Sequence, residues 1–141
     1  MSKIAIIRVR GLTGIRKEIR DTLRMLRLYK KNYCVVLDDT PTNLGMIQKI
    51  KDFVTYGTIT DETYSLLLKK KAEDYKGRLF DRKGKIQYKK YRVVNGRKIK
   101  PYFRLNPPKK GFNGSIKQPF TKGGALGDRK DKINDLIKRM L

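Results

Sequence analysis

The chain has no histidine, no tryptophan and a single cysteine, Cys34. Those absences remove imidazole-based catalysis, the usual zinc sites and any disulfide within the chain. Acidic residues are also scarce, with 13 Asp and Glu against 36 Lys and Arg for a formal net charge of +23 over 141 residues. No run approaches the ~20 apolar residues of a membrane span, and Met1 to Arg10 reaches charged residues too soon for a secretory signal. The expected location is therefore cytoplasmic. What the sequence holds in excess is positive charge, which repels itself in a compact chain until a polyanion neutralises it. Nucleic acid is the leading partner.

With 38% apolar residues the chain has material for one modest core. The charge is uneven. Residues 1–75 hold 15 basic and 9 acidic side chains, net +6, and residues 76–141 hold 21 and 4, net +17. We expect a core over residues 1–58 and a basic extension over 59–141 packed on it, as one domain overall.

Lys3 to Arg10 alternates apolar residues on both sides of an extended chain and reads as a central strand. After Gly11 and Gly14, the spacing of Ile15, Ile19, Leu23 and Leu26 predicts a helix from about Ile15 to Tyr29. Arg16, Arg20, Arg24, Arg27 and Lys31 follow the same spacing and predict a basic ridge about four turns long. Glu18 and Asp21 fall outside it, so the ridge suits phosphate better than an ordinary solvated face.

Tyr33 to Leu37 is a second strand, in which Cys34 reads as a small core residue. Asp38 and Asp39 end it as a turn; successive side chains point apart and no third ligand is recognisable, so no metal site is expected. Thr40-Pro41 starts a short helix through Ile50, and Phe53 to Tyr56, closed by Gly57, is a third strand. Strand, helix, strand, helix, strand is compatible with a small α+β two-layer sandwich.

In the extension, Thr60-Asp61 starts a helix with Tyr64, Leu67 and Leu68 as its apolar side. From Lys76 to Lys100 the only acid is Asp81, and Asn95-Gly96 predicts a basic hairpin pairing Tyr88–Val94 with Arg97–Phe103. Pro107-Pro108 stiffens a loop carrying Lys109, Lys110 and Phe112. Gly123-Gly124 allows backbone to approach a phosphate but is no P-loop. Asp128 can cap a terminal helix whose Ile133, Leu136, Ile137 and Met140 share one face and dock on the core.

Several strings carry more than composition. Ile6-Ile7-Arg8-Val9-Arg10-Gly11, Leu26-Arg27-Leu28, Asp39 to Ile47, Arg104 to Phe112 and Gly123 to Arg129 resemble the large-subunit ribosomal protein family numbered thirty in bacteria and seven in eukaryotes, in its archaeal form. The resemblance implies a β-α-β-α-β core of ferredoxin-like type with an antiparallel three-stranded sheet. It further implies a non-enzymatic structural constituent of the large ribosomal subunit that binds ribosomal RNA beside other ribosomal proteins. Tyr56-Gly57 stands where relatives often show Trp-Gly.

The expected RNA contacts are Arg8, Arg10, Gly11, Arg16, Arg20, Arg24, Arg27 and Lys31 on the core. In the extension they are Arg104, Lys109, Lys110, Phe112, Lys117, Lys122, Gly123, Gly124 and Arg129. No catalytic residue, cofactor, metal, small-molecule substrate or membrane partner is expected. The alternative is a DNA-binding or chromatin-packing protein, because charge alone does not sense a 2′-hydroxyl. A nuclease using Asp38, Asp39 and Asp52 lacks a recognisable convergence of carboxylates.

Overall fold

Ile4 to Ile7 alternate between two apolar faces, and the chain buries both by placing this strand, β1 (Lys3–Arg8), at the centre of the sheet. This computed structural model describes residues 3–11, 14–75, 82–84, 92–94, 97–109, 111 and 118–141. Strand β2 (Tyr33–Asp38) and strand β3 (Val54–Ile59) flank β1 and run antiparallel to it. Ile6 lies opposite Val35 on one side and Tyr56 on the other. Two short additions from the extension complete a five-stranded sheet: Phe103–Arg104 pairs with the start of β2, and Gly127–Asp128 runs parallel to β3.

Helices α1 (Lys17–Met25) and α2 (Pro41–Ile50) belong to one apolar cluster with Ile4, Ile6, Val35 and Val54. Thr40 caps α2, its hydroxyl accepting from the Asn43 amide at 3.2 Å, with Pro41 in the first turn. On the other face Ala5, Ile7, Cys34, Val36 and Ile59 pack with α3 (Asp61–Lys71) and α4 (Ile133–Met140). The extension thus supplies the cover that the three core strands alone would lack, and the two-layer core acquires a third layer.

All four apolar residues expected on the terminal helix are buried. Asp128 caps the turn ahead of that helix rather than the helix itself, its carboxylate accepting from the Lys130 amide at 2.8 Å. A 3₁₀ turn over Lys130–Lys132 intervenes.

Three expected boundaries shift, each for a physical reason. The first helix stops at Met25, not Tyr29, because Leu26 and Leu28 are both buried and would sit ~200° apart on a continued helix. Arg27 instead takes a left-handed conformation with φ 67°, its amide bonding to Arg24 O at 3.0 Å and the Leu28 amide to Leu23 O at 2.9 Å. This is a Schellman closure with arginine where glycine is usual. The third strand runs through Gly57 to Ile59 instead of ending there. A Cβ at Gly57 would stand 2.1 Å from Lys130 O, so the missing side chain lets the lead into α4 cross the strand. The hairpin pairs Arg92–Val94 with Arg97–Ile99 and ends before Pro101, freeing Phe103 to pair opposite Cys34. Its turn, Asn95-Gly96, and Tyr88–Tyr91 lie outside the described residues.

Candidate nucleic-acid interface

The topology brings Arg8, Arg10 and Lys31 to one end of the sheet, where β1 finishes, β2 begins and β3 begins. Arg8 closes β1, the Asn32 amide bonds to Arg8 O at 2.8 Å, and the Val9 and Arg10 amides share Phe53 O at 3.0 and 3.1 Å. Arg10 stacks its guanidinium 5.1 Å from the Phe53 ring centre. Gly11 lies under Lys31, whose Cε is 3.1 Å from where a Cβ would project. Arg104 joins this end through its register with Tyr33.

The predicted four-turn ridge is shorter than expected, because α1 spans only nine residues. Arg20 and Arg24 are exposed on the helix, Arg16 is its N-cap residue, and Arg27 and Lys31 follow its end. Arg27 turns toward Tyr29 and donates to its hydroxyl at 3.1 Å.

Arg8 departs most from the sequence expectation of a phosphate-facing surface residue. It is 1% exposed, its Nε donating to Arg10 O at 3.0 Å and its Nη1 to Leu28 O at 2.7 Å. It therefore anchors the end of β1 to the segment after α1. Burial lowers its pKa from the ordinary arginine value. Parity with Ile4 and Ile6 on the strand was the available signal, since it puts Arg8 on the face that α1 covers. Its Nη2 is buried with no hydrogen-bond partner among the described residues.

Arg129 is also internal. Its Nε donates to the Thr55 hydroxyl at 2.8 Å, its Nη2 to Ala125 O at 3.1 Å, and its guanidinium lies 4.8 Å from the Phe120 ring centre. Burial first, then the charge of Arg139, pulls its pKa down to about 10. Gly124 is buried, and a Cβ there would stand 2.0 Å from Gln118 O, so its smallness serves packing inside the protein. Lys122 and Gly123 are exposed in and just after a 3₁₀ turn beside the Gly127–Asp128 strand, at the sheet edge opposite Arg104.

The proline loop is fastened at its base. The Asn106 and Lys109 amides bond to Met140 O and Arg139 O at 3.0 and 3.1 Å, so they satisfy carbonyls left open at the end of α4. Lys109 is exposed there; Lys110, Phe112 and Lys117 lie outside the described residues. Arg104 is exposed and ion-paired with Glu73, which also pairs with Lys100 at 3.3 Å.

Sequence reasoning missed an aromatic cluster beside the basic end. Tyr33 and Tyr102 stack with ring centres 5.1 Å apart and planes 9° from parallel, and Tyr29 meets Tyr102 edge-on at 5.6 Å. Pairing of Phe103 with Cys34 is what brings Tyr102 beside β2, and spacing along the chain carries no signal for it. Cys34 is fully buried and its thiol is pushed up to about 12, an inert core group as expected. Among the described residues no group of His, Cys, Asp or Glu forms a metal cluster, and no helix is long and apolar enough to cross a membrane.

A family model described as ribosomal protein L30p/L7e matches residues 4–54. The chain is 43% identical to the large ribosomal subunit protein uL30 of Methanopyrus kandleri, a match covering 94% of this chain and 100% of the relative. The protein of that name from Nanoarchaeum equitans is 42% identical over 100% of both chains. That of Methanococcus maripaludis is 42% identical over 97% of this chain and 98% of its own. The matches define a class, the structural and non-enzymatic ribosomal proteins. Within that class, the chain belongs to the uL30 family, with archaeal relatives spanning nearly its whole length.

Proposed function

We propose that the protein is a structural constituent of the large ribosomal subunit, holding folded ribosomal RNA by phosphate, sugar and shape contacts beside neighbouring ribosomal proteins. The observation that carries this reading is kinship over nearly the full chain with proteins named for that subunit. The exposed Arg16, Arg20, Arg24 and Lys31 on and beside α1, with Arg10 at the end of β1 and Arg27 after the helix, support it, because phosphate contacts position a protein on RNA without reading sequence. Gly11 lets the backbone come near that surface, and Arg104 flanks it. Lys109 begins a second contact region, continued in sequence by Lys110, Phe112 and Lys117, and Lys122 with Gly123 offers a third. Arg8, Gly124 and Arg129 serve the first and third regions from inside.

The test is co-sedimentation of the full chain with native ribosomal subunits across a salt gradient. Stoichiometric retention on the large subunit, at salt that strips non-specific basic proteins, is the expected result. Loss at modest salt with recovery on chromosomal DNA overturns the reading in favour of a DNA-packing protein.

A further inference from the structure

The buried Arg8 side chain lines a pocket of about 510 Å³, walled by Leu23, Leu28 and Tyr29 and flanked by Arg20 and Arg24. That volume falls in the ~300–1,000 Å³ range of small-molecule sites. Leu23 and Leu28 are buried behind it, and the half-buried Tyr29 ring gives it an apolar surface, which an inorganic anion alone does not use. Tyr29 is fixed in place, its hydroxyl accepting from Arg27 and its ring braced edge-on by Tyr102 and Tyr33.

Two of the Arg8 nitrogens are committed to carbonyls, and the third, Nη2, has no partner among the described residues. A buried donor without an acceptor is costly, and a ligand acceptor would relieve that cost. Arg20 and Arg24 are exposed at the same pocket, so charge for phosphate stands beside an apolar seat.

We propose that this pocket seats one unstacked base of a single-stranded RNA segment. The base lies against the partly exposed Tyr29 ring, over the buried Leu23 and Leu28, one of its acceptor atoms takes the Arg8 Nη2 donor, and the adjoining phosphates meet Arg20 and Arg24. Sequence-specific contacts to RNA are characteristically made to such splayed bases in loops and bulges, with an aromatic ring as platform. The inference rests on the RNA-binding reading and deepens it: a surface of otherwise shape-reading contacts would have one point that reads a base.

The test is an NMR titration of the isotopically labelled full chain with each of the four nucleoside 5′-monophosphates, and separately with inorganic phosphate. A saturable shift of the Leu23 and Leu28 methyls and the Tyr29 ring is expected with at least one nucleotide. Its affinity should exceed that for phosphate about tenfold and fall about tenfold in Tyr29→Leu. Tyr29→Phe keeps the platform and should bind as the parent does. Equal shifts with phosphate overturn the proposal in favour of an anion site, and no shift with any nucleotide overturns it in favour of a water on Nη2. The wild-type titration decides between these even where a variant fails to fold. Retention on the large subunit without nucleotide shifts would remove the pocket alone; nucleotide shifts without retention would remove the ribosomal reading and leave the pocket.

Discussion

The Asn134 side chain accepts the backbone amide of Thr60 at 3.0 Å, and the same carboxamide donates to Thr58 O at 3.3 Å and Asp131 O at 2.7 Å. One buried side chain thereby joins the β3–α3 junction to the start of α4. Replacing it with leucine leaves groups of the junction without partners. The Asn134→Leu variant should lose about 1–3 kcal/mol of stability, read as a lower urea midpoint at unchanged slope.

Gly57 offers a steric test of the same contact between β3 and the lead into α4. A methyl group added there meets the Lys130 carbonyl and the Ile133 side chain. Gly57→Ala should lower stability by about 1–3 kcal/mol or more, as overpacking does, despite alanine's lower backbone entropy. Thermal unfolding of the two proteins side by side checks it; equal midpoints would mean that the segment moves aside without cost.

Glu73 gives the fold an acid-sensitive tie. Hydrogen bonds from Arg104 chiefly, and from Lys100, hold its carboxyl below the usual range against the upward pull of burial. A folded pKa below the unfolded one contributes stability above the unfolded value, and loses it as pH falls through the folded value. The melting-temperature advantage of the parent over Glu73→Gln should therefore be present near pH 6 and shrink by about pH 3. An advantage that grows on acidification would contradict the ion-pair assignment.

Arg20 and Arg24 are exposed on α1, so their removal should leave stability nearly unchanged. Arg20→Gln and Arg24→Gln should each weaken binding to large-subunit RNA and reduce the slope of log affinity against log salt by about one. An unchanged slope in both variants would remove the α1 face from the interface.

Much of the core was legible because its signals are local. Apolar residues on both sides of Ile4 to Ile7 announced a central strand, Thr40-Pro41 and Thr60-Asp61 marked helix starts, and the spacing from Ile133 to Met140 marked a buried face. The rest depended on partners distant in sequence. Gly57 reads as a strand terminator until Lys130 crosses it, and Arg129 reads as surface charge until Thr55 and Ala125 receive its nitrogens. The Tyr29, Tyr33 and Tyr102 cluster required Phe103 to find Cys34. Charge pointed to a polyanionic partner, while topology sorted which arginines remain exposed.

Arg27 carries a consequence for any effort to stabilise this protein. A left-handed backbone costs a non-glycine residue roughly 1–2 kcal/mol, and glycine would fit its φ of 67° freely. Arg27→Gly should therefore raise the melting temperature while deleting the cation and the bond that holds the Tyr29 hydroxyl. On the proposed function, selection for heat resistance alone would drift toward a sturdier protein with a weaker grip on RNA. At this position robustness and the proposed recognition draw on the same residue and pull it in opposite directions.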